Sequence, residues 1–430
     1  MGGDTIFALS SGAGRAAIAV MRISGPGAPS ALTALCGGTL PPPRCVSLRR
    51  LRDRNDITLD RALALWLPGP LTYTGEDSAE LHLHGGRAVV EAVAGALAEA
   101  GLRPAESGEF TRRAFLNGRL DLIEAEAIND LIDSETESQR RQALRQMDGA
   151  LGDLYRGWSE RLRTILAHQE ALIDFPDEDL PPEVEAALLA TLRTVRDEMR
   201  LHLDDAGRGE KLREGLHFTI AGAPNVGKST LINALAERDV AIVSDIPGTT
   251  RDVLETRIIL GGVPVTLADT AGLRDTVDPI EAEGVRRALA RADEADLVIH
   301  LVEAGSAMPA DLAPGHLLVA TKADLDRLGP PGALMISART GQGMDSLRDQ
   351  LSQAARRMTE TSGPPPLTRA RHRAALLAAV ALLEAAEAAP LPELRGEDLR
   401  LAMRELGRIT GRVGVEDLLD TIFSAFCIGK

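Results

Sequence analysis

No segment restricts the fold of this 430-residue chain more than Gly222-Ala223-Pro224-Asn225-Val226-Gly227-Lys228-Ser229. It is a complete G-x-x-x-x-G-K-S turn. The apolar run His217 to Ala221 precedes it, and a helical pattern from Thr230 to Ala236 follows. In that setting backbone N–H groups of the turn and of the helix N-terminus converge on phosphate oxygens. Lys228 can neutralise the β- and γ-phosphates, and Ser229 offers a hard oxygen to Mg²⁺. Asn225, Val226, Gly227 and Thr230 complete the cradle. The motif therefore predicts a parallel sheet flanked by helices, with a nucleotide at the strand ends.

Further elements follow in order along the chain. Asp269-Thr270-Ala271-Gly272 comes after the apolar run Val263 to Ala268. Asp269 can hold Mg²⁺ through water, and the Gly272 N–H can meet a γ-phosphate. Thr321-Lys322-Ala323-Asp324 comes after Leu317 to Ala320, and Ser337-Ala338-Arg339 after Leu334 to Ile336. A carboxylate at Asp324 accepts from guanine N1 and N2, a pair of donors that adenine lacks, so the wrong base leaves it unpaired. Pro247-Gly248-Thr249-Thr250 lies between the first two elements, with Thr250 placed to close on Mg²⁺. Together they read as a guanine-nucleotide domain. Leu273 stands where Ras-type enzymes carry a water-orienting glutamine. Another group must take that task. Arg251 and Arg274 read equally as arginine fingers or surface charges, and Glu281 and Glu283 as water holders or a solvated helix face.

The remaining sequence is helical or α+β. Residues up to about Leu116 alternate strands such as Ile18 to Ile23, Ala62 to Leu67 and Ala79 to Leu83 with a helix from Ala88 to Ala100. A near-heptad stripe then runs Leu144, Met147, Leu151, Leu154, Trp158, Leu162, Ile165, and a second resumes at Leu188. Gly149, Gly152 and Gly157 predict a bend in the first stripe. Helical periodicity returns in the tail, where Val415, Leu418, Leu419, Ile422, Phe423 and Phe426 share a face. Helical sequence on both sides of an α/β unit predicts one helical domain with the α/β domain inserted. The expected division is 1–117, 118–209, 210–360 and 361–430, the second and last forming the helical domain. Net charge is −15, which excludes a generally basic nucleic-acid coat and leaves only local patches. Arg140, Arg141 and Arg145, or Arg369, Arg371 and Arg373, are the basic clusters. Three scattered cysteines, no signal-peptide pattern and no span-length apolar run point to a reducing cytoplasm and no membrane span.

The whole chain resembles the MnmE (TrmE) family of tRNA-modification GTPases. The marks are MRISGP, YTGEDSAELHLHGG, GEFTRRAFLNGRLDLIEAEAINDLIDSET, GAPNVGKSTLINAL, SDIPGTTRD, DTAGLR and the terminal FCIGK. The resemblance implies an N-terminal tetrahydrofolate-binding domain that pairs in a homodimer, a discontinuous helical domain and an inserted Ras-like G domain. It implies GTP hydrolysis assisted by K⁺, held by Asn225 with Ser244, Ile246 and Thr249 in the loop Ser244-Asp245-Ile246-Pro247-Gly248-Thr249. It gives Glu281 the task of orienting the attacking water. For a 5-formyl- or 5,10-methylene-tetrahydrofolate it implies Arg22, Glu80, Arg119 and Lys430. Cys427 either approaches the one-carbon unit or is a small buried residue.

The resemblance further implies a flavin-bearing partner, MnmG (GidA), and modification of C5 of uridine 34 in tRNA to an aminomethyl or carboxymethylaminomethyl group. No G-x-G-x-x-G flavin fingerprint occurs in this chain. The base element reads TKAD rather than NKAD, so Thr321 keeps a hydroxyl but lacks an amide. Two alternatives compete: a ribosome-assembly GTPase, which would usually add a basic RNA domain or a second G domain, and a folate-binding scaffold with a vestigial G domain.

Overall fold

The computed structural model describes residues 3–12, 14–174, 182–238, 255–269, 295–309, 312–313, 315–325, 327–360, 364–413 and 416–429. Two units divide the chain: residues 1–129, 146–191 and 381–430 in one, 130–145 and 192–380 in the other. In chain order the described strands are β1 (Ile6–Leu9), β2 (Ile18–Ser24), β3 (Ser47–Arg52), β4 (Thr58–Leu67), β5 (Ser78–His84), β6 (Arg103–Pro104), β7 (Leu216–Gly222), β8 (Glu255–Leu260), β9 (Val263–Asp269), β10 (Leu297–Glu303), β11 (Leu317–Thr321) and β12 (Leu334–Met335). The described helices are α1 (Ala28–Leu35), α2 (Arg87–Glu99), α3 (Glu109–Leu116), α4 (Leu122–Ile132), α5 (Glu137–Met147), α6 (Ala150–Asp174), α7 (Pro182–Leu203), α8 (Arg208–Glu214), α9 (Lys228–Arg238), α10 (Met344–Thr359), α11 (Ala370–Ala388), α12 (Pro392–Thr410) and α13 (Glu416–Ser424).

In the first unit a period of two sorts side chains between the faces of a sheet ordered β3-β4-β5-β2-β1-β6. Ala19, Met21 and Ile23 of β2 and Ala79, Leu81 and Leu83 of β5 are buried. They share a core with Leu32 and Leu35 of α1 and Val93 and Leu97 of α2. Arg22 and Glu80, at the intervening positions, stand directly opposite each other in the β2–β5 ladder. Neighbouring strands run antiparallel except β1 and β6.

The first helical stripe is not continuous. It breaks at Gly149, whose φ of +84° suits glycine and whose N–H closes a turn on Gln146 O. The predicted bend is thus a full separation of α5 from α6, while Gly152 and Gly157 lie inside α6. Tyr155, Trp158, Leu162 and Ile165 of α6 are buried, as are Leu399, Ala402, Leu406 and Ile409 of α12. Gln169 Nε2 donates to Pro392 O at 3.0 Å, tying the two helices. Leu419, Phe423 and Phe426 pack with Leu122 and Ala125. Val415 and the Leu418 side chain lie outside the description. The tail beyond Phe426 returns to the first sheet: Ile428 bridges Ser107, and Ser10 Oγ donates to Gly429 O at 2.9 Å.

In the second unit the sheet order is β12-β11-β10-β7-β9-β8. The sequence predicts a parallel sheet; the observed one is mixed, because β8 runs antiparallel to β9 as a hairpin. Ile258 and Leu260 of β8 are buried, and its polar first half, Glu255-Thr256-Arg257, leaves it without the continuous apolar run that marks the central strands. α9 and α10 contribute Leu231, Leu235, Leu347 and Leu351 to the core. The chain enters and leaves this α/β layer at adjacent points. Arg213 Nε donates to Thr368 O at 2.8 Å, and Arg373 pairs with Asp205 at 2.6 Å and Glu210 at 3.1 Å. Such adjacency is what an inserted domain requires. None of the described helices is long and apolar enough to cross a membrane.

Candidate nucleotide and folate sites

β7 delivers the chain into the phosphate-binding turn. Gly222 has φ +144°, and a Cβ there would stand 2.5 Å from Leu301 O on the adjacent strand, so no larger residue fits. Asn225 adopts φ +60° and is exposed, with its side chain in the turn; Val226 is buried beneath it. Gly227 has φ +106° and leads into α9, whose first residue is Lys228. Lys228 is 5% exposed, and its ammonium donates to Gly222 O at 2.8 Å and Ala223 O at 3.1 Å. Its charge is thus held by neutral carbonyls at the site where phosphates would arrive. Ser229 Oγ donates to Asp269 Oδ2 at 3.1 Å, so the two oxygen donors expected to serve Mg²⁺ are already neighbours. Thr230 is exposed in the first turn of α9.

The base side is built at the ends of β11 and β12. Ile336 N donates to Ala320 O and Ala323 N to Ile336 O, which locks the two segments together. Thr321 is buried and hydrogen-bonds to the Val226 carbonyl. The Ser337 hydroxyl donates to the Asp324 carboxylate and, with the Arg339 guanidinium 3.3 Å away, holds it below the usual carboxylate range. Asp324 is therefore an acceptor at neutral pH. Ala323 is buried and Ala338 half-buried, serving as spacers. Lys322 pairs with Glu303 at 2.8 Å, and this pairing depresses the Glu303 carboxyl. Sequence reasoning missed Glu303. Its signal was a single carboxylate at the end of the apolar run LVIHLV.

Ser244, Asp245, Ile246, Pro247, Gly248, Thr249, Thr250, Thr270, Ala271, Gly272 and Glu281 lie outside the described residues, as do Arg251, Leu273, Arg274 and Glu283.

In the other unit Arg22 and Glu80 form an ion pair at 3.1 Å, each side chain 21% exposed. The Arg22 guanidinium lies 5.4 Å from the centroid of the Tyr73 ring and 5.8 Å from that of Phe110, within cation–π range. Tyr73 hydrogen-bonds to Thr111, and burial pushes its hydroxyl pKa up. Neither aromatic ring was singled out from the sequence; only adjacency in space reveals them. Arg119 packs its side-chain carbons near Gly75 in the same loop as Tyr73. Lys430 lies outside the described residues, but Gly429 beside it is fastened to Ser10. Cys427 is exposed, which removes the buried reading of that residue.

Two arginines of each basic cluster are engaged in ion pairs. Arg140 and Arg141 both pair with Glu137, at 2.8 and 2.7 Å, Arg369 pairs with Asp130 at 2.7 Å, and Arg373 with Asp205 and Glu210.

A phosphate turn on a parallel-rich sheet, a buried lysine over it, a serine–aspartate oxygen pair and a strand-end aspartate define a P-loop nucleotide hydrolase. Residues 5–119 match the family described as the GTP-binding protein TrmE N-terminus, and residues 122–427 match the MnmE helical domain. The tRNA modification GTPase MnmE of Gluconacetobacter diazotrophicus is 63% identical over 431 residues, covering 99% of this chain and 98% of that one. Its counterpart in Granulibacter bethesdensis is 58% identical over 441 residues, covering 100% of both. Among solved structures, the G domain of the T. maritima FeoB iron transporter aligns at 25% identity over 33% of this chain and 98% of that one, with a TM-score of 0.24. The chain belongs to the MnmE family of tRNA modification GTPases and is a GTP hydrolase.

Proposed function

We propose that this chain is a K⁺-stimulated GTPase that works as a homodimer. With a flavin-bearing MnmG partner it modifies C5 of the wobble uridine of tRNA to an aminomethyl or carboxymethylaminomethyl group, using a tetrahydrofolate one-carbon unit in the cytoplasm. The observation that carries the GTPase side is the placement of Lys228, the Ser229–Asp269 pair and Asp324 after β7, β9 and β11 of one sheet.

The donor set fits Mg²⁺. Ser229 and Asp269, with Thr250, would hold it among hard oxygens, and bound there it neutralises phosphate charge. Asn225 is an exposed amide at the turn, a suitable oxygen donor for K⁺ beside Ser244, Ile246 and Thr249. K⁺ supplies the positive charge that an arginine finger supplies elsewhere. Lys228 exchanges its two carbonyl partners for phosphate oxygens, trading neutral acceptors for charged ones. Asp324 accepts from guanine N1 and N2. Glu281 positions the attacking water, because Leu273 has no polar atom with which to do so.

The folate reading is supported by a base–acid pair beside two aromatic rings. Glu80 can accept from pterin N–H groups, and Arg22, Arg119 and Lys430 can pair with a carbonyl or the glutamate tail. Exposed Cys427 stands on the same tail as Lys430.

Two measurements test the proposal. GTP turnover is expected to rise sharply when K⁺ replaces Na⁺, and equal rates would defeat the ion assignment. Mass analysis of wobble nucleosides in cells lacking this chain should show loss of the C5 modification; an unchanged nucleoside profile would refute the tRNA role.

A further inference from the structure

Thr321 closes β11 and is 6% exposed. Its Oγ1 stands 2.7 Å from Val226 O and 3.2 Å from Val302 O. Both neighbours are backbone carbonyls, which only accept. A threonine hydroxyl carries one hydrogen, so two acceptors already compete for it and none remains for a third group. Val226 belongs to the phosphate-binding turn, and Thr321 is three residues from Asp324. The bond therefore fastens the phosphate turn to the strand end that presents the base-reading carboxylate.

We propose that Thr321 is a positioning residue that straps the phosphate turn to β11, and that guanine is consequently read on its Watson–Crick edge alone. The proposal deepens the nucleotide reading and rests on Asp324 as the guanine acceptor. An asparagine at this position would carry two amide hydrogens, one for the Val226 carbonyl and one for the base. Guanine N7 is an acceptor on the opposite edge of the ring from N1 and N2. With threonine that acceptor receives nothing from the end of β11. The substrate class widens accordingly: guanine nucleotides lacking the N7 lone pair should bind as well as the natural ones.

Equilibrium binding of GDP, 7-deaza-GDP and IDP to the full-length chain, and to Thr321→Asn, Thr321→Ser and Thr321→Val, tests this. The wild-type chain should bind GDP and 7-deaza-GDP within about twofold of each other, less than the loss of one neutral hydrogen bond would produce. Thr321→Asn should create a preference for GDP of about fivefold or more. Thr321→Ser, which keeps the hydroxyl, should behave as wild type. Thr321→Val should weaken both nucleotides by a similar factor, because it removes the strap and no base contact. IDP lacks the N2 amino group and should bind about tenfold or more weakly to the wild-type chain. A wild-type preference of fivefold for GDP over 7-deaza-GDP would overturn the proposal, and full affinity in Thr321→Val would overturn the strap. Equal binding of IDP and GDP would instead overturn the guanine reading beneath both.

Discussion

Replacing Gly429 by alanine is expected to separate the proposed folate binding from the GTPase function. Gly429 has φ +97°, and a Cβ there would stand 2.2 Å from Leu9 O and 3.0 Å from Leu9 C and Ser10 Cα. Those are backbone atoms of β1 and its end, so they cannot swing aside. The tail must lift instead. Lifting breaks the Ser10 Oγ–Gly429 O hydrogen bond of 2.9 Å and loosens the Ser107–Ile428 bridge. At roughly 1 kcal/mol net per hydrogen bond, with a further ~1 kcal/mol of strain for alanine at positive φ, docking loses about 2–3 kcal/mol. Phe423 and Phe426, packed further back, should keep the last helix in place. Lys430 and Cys427 would then be displaced without unfolding the protein. Titration calorimetry with 5-formyl-tetrahydrofolate should show affinity reduced by roughly 30- to 150-fold, the range to which 2–3 kcal/mol corresponds. The GTPase rate should stay at the wild-type value. Carboxypeptidase digestion checks that the tail has been released. Wild-type folate affinity in a variant whose tail is released would refute the argument that the docked terminus builds the site.

Arg22→Ala should weaken folate binding by about 10-fold or more, since it removes a charge-assisted partner and leaves Glu80 beside His82; calorimetry reads this, and parallel loss of GTPase activity would indicate misfolding instead. Glu281→Ala should retain GTP affinity, measured with a fluorescent analogue, while losing about 100-fold or more in turnover, because the attacking water is no longer held in position; an unchanged rate would return Glu281 to a surface role. Burial pushes the His202 imidazole down to about 4, against a usual value of 6.5. The unfolded chain therefore binds the extra proton first, and the stability contributed by neutral His202 is complete above pH 6.5 and is lost as pH falls towards 4. The loss amounts to roughly 3 kcal/mol, and urea melts of wild type against His202→Asn should diverge in slope across that window. Parallel pH profiles would show that the imidazole is not held neutral.

The phosphate turn was legible because its parts are contiguous. A turn that needs glycines, a lysine and a serine in eight residues leaves few alternative readings, and each later element follows its own apolar strand. The edge strand β8 was not legible, since its first three residues, Glu255-Thr256-Arg257, are polar and it lacks the unbroken apolar run of a doubly covered strand. The helical stripe concealed the break at Gly149, because side-chain periodicity continues across a backbone turn that glycine alone makes cheap. Of the residues around the candidate folate site, Arg22 and Glu80 were named only through resemblance, and Tyr73 and Phe110 not at all. Arg22, Tyr73, Glu80 and Phe110 come from separate elements, and no spacing rule links a strand residue to rings 51 and 88 positions later. For Arg140 and Arg141 the sequence favours a solvated helix face over a nucleic-acid contact, and both guanidinium groups pair with Glu137 one helical turn earlier.

Two side chains hold the phosphate turn, and they meet different fates when a nucleotide arrives. Lys228 binds the carbonyls of Gly222 and Ala223, inside the turn itself. Phosphate oxygens compete for the same ammonium and are stronger acceptors, so this pair of bonds must be exchanged. Thr321 binds the carbonyl of Val226 from the base side, and nothing in a nucleoside triphosphate competes for a buried hydroxyl already directed at two carbonyls. The turn is thus organised before binding by one contact that the ligand replaces and one that it leaves standing. Pre-organisation of this kind lowers the ordering cost at the moment of binding. It also means that removal of the permanent contact should penalise every nucleotide alike, whatever its base, whereas removal of Lys228 should penalise nucleotides in proportion to the phosphate charge they bring.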